Sequence, residues 1–524
     1  MARNPKQASW LLPLVILAGG AALFFVVPHA IDIFIDFGGE HRKLWDLITN
    51  PDLGAAEGAV GNLSQVISQV LGIAITVVSI IVQLAATRYT PRITELFFKD
   101  PVNFVVTGFF VLATVQSQWV ALTFGKTYVP RVGIAVAMFS LAVSLIVIVP
   151  YFVYVFNFLD PKNVIARIRR HATEELRRCA EGGRAAPVKV QAEIVDALEQ
   201  LADVALNSIE QKDKIIAMAA VDALREFGVS YLELKPRLPA TLFEMPPLLR
   251  NNPDFVSLNE EAVQTFVARK TWPEMKLFRQ YQMIYNDSLN RMRDLNYLVA
   301  INSRLVAGAA IRIGDEHSIR LSVRYFNTYM RATVNAHDVR TAYNVLNQYR
   351  LLGEDLLAAD REKELLEVAE HIKYYGQLAF QQGLSFITVT AAYDLCALNE
   401  AAYSRRARCS TALLESFLLL DKESETEVQE QSLRGIRKAQ IKLATYFLMV
   451  GDEELARRIW KDMHSEPRER LRSIHQELSR VESREFWEII DRGTNFDYLE
   501  PERKAKLDVF FTWFEESPPA AAAS

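Results

Sequence analysis

Four apolar runs fill the first 160 residues, at 10–28, 65–86, 102–124 and 133–158, and none contains Asp, Glu, Lys, Arg or His. Each is long enough to cross about 30 Å of hydrocarbon as a helix. In lipid every backbone polar group must be satisfied within the chain, which restricts these runs to helices. The first run is longer than a signal-peptide core, and Pro28-His29-Ala30-Ile31-Asp32 is a poor cleavage site, so an uncleaved span is expected. The expected fold class is therefore all-α, with four membrane helices at about 10–30, 63–87, 102–124 and 132–158.

The second run carries a polar seam. Gly61, Gln65, Ser68, Gly72, Thr76, Ser79, Gln83 and Thr87 recur every third or fourth residue and stay within a roughly 100° arc of one helix. Val66, Val70, Ile73, Val77, Ile80, Ile81 and Leu84 fill the opposite side. Two readings are open at this point. Small and hydroxylated residues at this spacing let membrane helices approach one another. In an oligomer, the same helix from each subunit would instead ring an axis with Gln65, Ser68, Gly72, Thr76, Ser79 and Gln83 as a neutral hydrated lining. Arg88 and Arg92 would then sit at its cytoplasmic mouth. Without an ionisable side chain inside a span, proton relays, ion-coupled carriers and voltage sensors are disfavoured, and without intramembrane histidine pairs so is haem.

Arg3 and Lys6, then Arg88, Arg92 and Lys99, then Lys162, Arg167, Arg169 and Arg170 lie beyond alternate span ends. This bias places both termini in the cytoplasm of a multi-pass inner-membrane protein. Trp10, Tyr89, Tyr128, Tyr151 and Tyr154 sit near span ends, as interfacial aromatics do.

The run 73–100, with Gln83, Tyr89-Thr90-Pro91-Arg92 and Phe97-Phe98-Lys99-Asp100, resembles the core of a bacterial family of predicted membrane proteins of unknown function. Val129-Pro130-Arg131 and Asn163-Val164-Ile165-Ala166-Arg167 are similar to that family's later spans, and 332–338 is similar to its Asn-Asp turn. The resemblance covers about residues 10–170. It implies a membrane architecture and no mechanism.

From 161 onward the hydrophobic period is helical, and strand-like alternation is nearly absent. Membrane-proximal helices are expected over 161–235, a Pro-rich linker over 236–258, a larger cytosolic helical domain over 259–516 and a disordered tail over 517–524. Ser208, Asp213, Ala217, Arg225 and Gly228 recur in kind 125 residues later, at Thr333, Asp338, Ala342, Arg350 and Gly353. Each copy reads as helix, polar turn capped by Asp, helix and Gly C-cap, and stacked hairpins of this kind make a solenoid-like surface.

A net charge of −4 gives no basic field for nucleic acid. Three cysteines without C-x-x-C spacing, Cys179, Cys396 and Cys409, argue against a disulfide framework or structural zinc and suit a reducing compartment. No phosphate-binding, nucleophile-elbow, zinc-protease or dinucleotide motif occurs, so neither catalytic residues nor a metal or cofactor is expected. Glu367 and His371 share a helix face and read as an ion pair rather than metal ligands. The Arg- and Tyr-rich stretch 320–350 reads as a solvated helix face with buried tyrosines, or as a site for an anionic ligand or lipid head group.

The expectation that follows is a homo-oligomeric membrane protein with a channel-like assembly, in which the seam lines the axis and the helical body assembles or gates it. The alternative is a membrane-anchored scaffold or sensor whose cytosolic helical domain binds a protein partner, with the spans as anchor in the lipid bilayer.

Overall fold

The computed structural model describes residues 19–20, 23–24, 26–28, 30–31, 53–88, 94, 97–98, 100–124, 130–182, 186–421, 427–486, 492–493 and 495–516. Among them there is no strand. The chain divides into two compact units, 1–164 and 165–524.

The first unit contains α1 (Leu53–Arg88), α2 (Pro101–Leu122) and α3 (Arg131–Leu159), which pack pairwise against one another. The stretches Val60–Thr87, Pro101–Leu122 and Arg131–Leu159 are each long and apolar enough to cross a membrane. The expected first span lies mostly outside the described residues, so three membrane helices stand where four were expected. Their ends have local causes. Asp100 caps α2 by accepting from the Val102 amide at 2.9 Å, with Pro101 at the first helical position. Gly133 lets α3 approach α2, since a Cβ there would lie 3.0 Å from Val120 Cγ2. Ala137, Ser140 and Ser144 continue that small-residue ridge into the bundle. Large side chains point outward, Phe139 at 69% exposure and Ile146 at 71%. Apolar faces of this extent are stable against lipid rather than water.

The second unit is a two-layer stack of helical hairpins. Beyond α4 (Pro161–Ala180), the pairs are α5 (Pro187–Glu210) with α6 (Lys214–Leu234), α8 (Trp272–Ser288) with α9 (Arg293–Arg312), and α10 (Glu316–Asn335) with α11 (Val339–Ala358). They continue as α12 (Glu362–Gln381) with α13 (Ser385–Ser404); the short α14 (Ser410–Leu418) packs on α12 and α13, and α15 (Glu427–Met449) packs on α13. Helix α7 (Glu260–Arg269) precedes α8, and α16 (Glu453–Met463), α17 (Arg468–Arg480) and α18 (Leu507–Glu516) follow α15. Helices α5, α8, α10, α12 and α14 form one layer, each touching the next; α6, α9, α11, α13 and α15 form the other.

One turn chemistry recurs along this stack. Lys212, Gly314, His337 and Gly451 each take a left-handed φ, and the Asp that follows caps the next helix. The amides of Asp213, Asp315, Asp338 and Asp452 bond back to carbonyls five residues earlier, at 2.8, 3.0, 3.2 and 2.9 Å. This is the Schellman closure of one helix joined directly to the N-cap of the next. His337 is thus the left-handed residue of its turn, and Asp213 and Asp338 are caps, as the spacing predicts.

Gly228 and Gly353 do not end helices. Both lie within helices, α6 and α11, where a Cβ would meet Leu277 Cδ2 at 2.5 Å and Leu398 Cδ2 at 3.0 Å. They are glycines because a neighbouring helix needs that space. The segment 236–258 is likewise not a linker between separate bodies. Leu242, Phe243, Leu249 and Phe255 are buried, and the Gln191 amide donates to the carbonyls of Leu242 and Glu244, both at 2.8 Å. The Trp272 indole donates to Leu242 O at 3.0 Å. Proline removes backbone donors and breaks helix, so the sequence resembles a linker although side chains tie it down within the unit.

A buried ion cluster fixes this strap to the stack. Lys235 donates to Glu274 and, at 2.5 Å, to Asp315, with side chains 8%, 1% and 15% exposed. Ser318 Oγ lies 2.8 Å from Glu274, and Tyr231 OH donates to it at 3.1 Å. Burial alone would raise the Asp315 carboxyl, but the Lys235 ammonium and Ser318 outweigh it and hold it below its ordinary value. Burial would lower Lys235, and Glu274 and Asp315 outweigh that to hold it above its own. Asp315 therefore stabilises the fold above the ordinary carboxylate value and loses that contribution as pH falls through its depressed value. Lys235 stabilises below the ordinary lysine value and loses its share as pH rises through its elevated one. Lys235→Met, which leaves a buried carboxylate uncompensated, is expected to cost about 3–5 kcal/mol in unfolding. Asp315→Asn should flatten the acid limb of a melting-temperature profile; an unchanged limb would contradict the assigned cluster.

Candidate functional site

The seam of α1 is not the face that α1 buries. The buried row is Val60, Ser64, Ile67, Ala74, Val78, Val82 and Ala85. The seam runs one residue on, about 100° around the helix. Gly61, Gln65, Gly72, Thr76, Ser79, Gln83 and Thr87 are exposed and Ser68 is half-buried. Its hydroxyls are largely satisfied from within. Ser68 Oγ donates to Ser64 O and Thr76 Oγ1 to Gly72 O, both at 2.8 Å, and Thr87 Oγ1 lies 3.0 Å from Leu84 O. A hydroxyl bonded to its own helix can face lipid at little cost. Gln65 and Gln83 carry amides that a helix turn does not absorb in this way. Arg92 and the side chain of Arg88, the expected inner mouth, lie outside the described residues, as do Trp10, Tyr89 and Tyr128.

Polar contacts inside the bundle come from residues the sequence placed elsewhere. Tyr151, grouped above with interfacial aromatics, is buried and donates to Asn103 Oδ1. Asn103 Nδ2 reaches Phe97 O at 3.4 Å, and Gln116 Nε2 reaches Gly133 O at 3.3 Å. Beside the Asn103–Tyr151 pair is a cavity of about 480 Å³ walled by α1, α2 and α3, and Ser79, Gln83 and Thr87 of the seam border it. The other seam positions, Gln65, Ser68, Gly72 and Thr76, do not line it.

In the second unit a larger cavity, about 950 Å³, opens on the layer of α9, α11, α13 and α15. Five chain segments meet there. Arg293 begins α9, His337 to Tyr343 turn into α11, Phe386 and Tyr393 come from α13, and Arg434 and Lys438 from α15. The turn Asn495-Phe496-Asp497 closes one side. That turn is held rigidly. Tyr393 stacks on Phe496 with ring centres 4.8 Å apart and donates to Asp497 Oδ1 at 2.6 Å. Burial, then Asp497, holds the Tyr393 phenol well above its ordinary value, so it stays a proton donor at neutral pH. Lys442 donates to Phe496 O and Tyr498 O, both at 2.9 Å, and burial lowers its ammonium. Arg492 donates to Asp394 and, at 2.6 Å, to Tyr343 O, with its guanidinium 4.3 Å from the Tyr343 ring centre.

The cations of the groove are largely engaged. Arg293 pairs with Asp338 at 3.1 Å, and Lys438 with both Asp497 and Glu477 at 2.8 Å. Burial would lower Lys438, and Asp497 and Glu477 outweigh that, so it remains charged. The lining therefore offers both signs of charge beside five Phe and Tyr rings rather than a simple anion cradle. Of the Arg- and Tyr-rich stretch 320–350, only Arg340 and Tyr343 reach this groove; Tyr325, Tyr329 and Tyr349 are buried between helices. Phe386, Arg434, Lys438 and Phe496 carry no spacing signal, because they come from segments far apart in sequence. Glu367 and His371 are 3.9 Å apart, a weak pair, and burial lowers the imidazole. Among the described residues no group of three or more His, Cys, Asp or Glu side chains is placed to hold a metal, and all three cysteines are free and buried.

Residues 6–226 match a family model described as predicted membrane protein (DUF2254), which upholds the resemblance of the apolar region to a membrane family of unknown function. No curated protein matches. A solved structure described as a circular tandem repeat protein with novel repeat topology and enhanced subunit contact surfaces aligns with 89% of this chain and 97% of its own. It does so at 14% identity and a TM-score of 0.23, too low to carry an argument.

Arg492→Met should release the 495–498 turn, because Asp394, 2% exposed, then keeps only Arg350 at 3.4 Å. Amide exchange at 495–498 is expected to accelerate about tenfold or more while the middle of α13 stays protected. Equal acceleration in both would mean that Arg492 supports the whole unit rather than the turn.

Proposed function

We propose that this protein is a membrane-anchored scaffold or sensor: its apolar helices hold it in an inner membrane, and its helical stack binds a protein segment in the groove of α9, α11, α13 and α15. The observation that carries this reading is the groove, about 950 Å³ and framed by a turn fixed through Tyr393, Lys442 and Arg492. Mixed charge with Tyr343, Phe386, Tyr393 and Phe496 suits a peptide that carries both charges and an aromatic or aliphatic anchor. Phe386 is 49% exposed, a large apolar ring at the rim where such an anchor would dock. Both termini are read as cytoplasmic from the distribution of Lys and Arg around the spans.

A channel-like homo-oligomer is the second reading, favoured by the outward exposure of Gln65, Gly72 and Thr76. It ranks below the first because Thr76 and Ser68 satisfy their hydroxyls within α1, and because Ser79 and Gln83 border a cavity shared with α2 and α3.

A photoreactive phenylalanine analogue at Phe386 is expected to give a discrete protein adduct in native membranes. The same group at Tyr374, 49% exposed on the other layer, should give none. No adduct at Phe386, or equal adducts at both, would count against the groove. Ion flux from the purified protein in liposomes, lowered by Gln65→Leu, would favour the channel instead.

A further inference from the structure

The cavity between α1, α2 and α3 is graded along the bundle axis. The end of α1, the start of α2 and the end of α3 meet at one end of the bundle. Gln83, Thr87, Asn103 and Tyr151 line the cavity at that end beside Phe97 and Phe98, and Leu71, Ala74, Ile75 and Phe110 line it toward the middle. The lining contains no charged side chain among the described residues. Space arises because Ala74, Val78, Val82 and Ala86 put short side chains along α1 at four-residue steps. Among the described residues of the N-terminal run, Gly20 approaches Leu112, on the side of α2 opposite Asn103, Thr107 and Phe110.

We infer that this cavity is a binding site for one acyl chain of a bilayer phospholipid, with the chain running inward past Ala74 and Phe110 and its ester carbonyl meeting the Gln83 amide. Three features select this occupant. The apolar depth and polar rim match the polarity profile of an ester-linked chain at the edge of the hydrocarbon layer. Among the described lining residues no cation is present to pair with a free carboxylate, whereas an ester needs none. Gln83 carries two N–H donors at a depth where water is scarce, and an ester carbonyl accepts one of them. A volume of about 480 Å³ is within the ordinary range for sites of small ligands, and one chain occupies it more completely than two.

Full-length protein in nanodiscs with a phospholipid carrying a diazirine on one acyl chain tests this, with adducts mapped by mass spectrometry. Adducts are expected on the cavity-facing residues of α1 and α2, and Ser79→Phe should reduce them several-fold while leaving those at Phe139 and Ile146 unchanged. Ile80→Phe, on the outward face, controls for folding and should reduce neither. Ester-linked lipid should label better than its ether analogue, and Gln83→Leu should remove that preference, about two- to tenfold. Labelling spread evenly over all lipid-facing helices, or insensitive to Ser79→Phe, would overturn the inference. So would a diazirine fatty acid that labels the cavity as strongly as the phospholipid, or crosslinks between two copies through positions 79 and 83.

Discussion

The membrane unit depends on one constraint: in hydrocarbon, a polar group has to find its partner inside the protein. Helices α1, α2 and α3 meet it in three ways. Ser68, Thr76 and Thr87 bond to carbonyls of their own helix. Asn103 and Tyr151 pair between α2 and α3, and Gln116 reaches a carbonyl of α3. Among what remains are three exposed glutamines on α1, Gln65, Gln69 and Gln83, positions at which a ligand, a second copy or water could act.

The stack answers a different problem in water. Successive helices bury their faces against one another, and four of the joints are closed by a left-handed residue followed by Asp, so that one helix end and the next helix start are satisfied together. Glycines at 228, 353 and 435 allow close approach; at Gly435 a Cβ would lie only 2.2 Å from Val389 Cγ2. The ion cluster around Lys235 then ties the proline-rich strap to the same body, and the segment after α17 lies over the layer that forms the groove. A rigid frame of this kind presents a fixed surface, as a binding module requires.

Much of this was legible in the residues. Spans two to four follow from unbroken apolar length, and the caps at Asp213 and Asp338 from polar turns between helical periods. The seam is legible as a stripe from its period, but period alone cannot say which stripe a helix buries when three faces are all weakly polar or apolar. The row Val60–Ile67–Ala74–Val78 won because it is small or β-branched and interlocks with α2 and α3. Tyr151 resembled an interfacial aromatic because its partner Asn103 is 48 residues away. The groove was hidden for the same reason: its lining comes from five segments that only the stacking of helices brings together. Proline content misplaced a domain boundary at 236–258, since composition does not register the side chains of Gln191, Lys235 and Trp272 that hold the strap.

The account holds that the hydroxyls of Ser68, Thr76 and Thr87 are satisfied by α1 itself and that the seam lines no water. Cysteines placed singly from 65 to 83 in liposome-reconstituted protein, reacted with a membrane-impermeant thiol reagent from either side, measure this directly. Positions 65, 68, 72 and 76 are expected to react no faster than the lipid-facing positions 66, 73 and 80. Fast reaction confined to the seam, repeating every third or fourth residue, would contradict it and restore the hydrated pore.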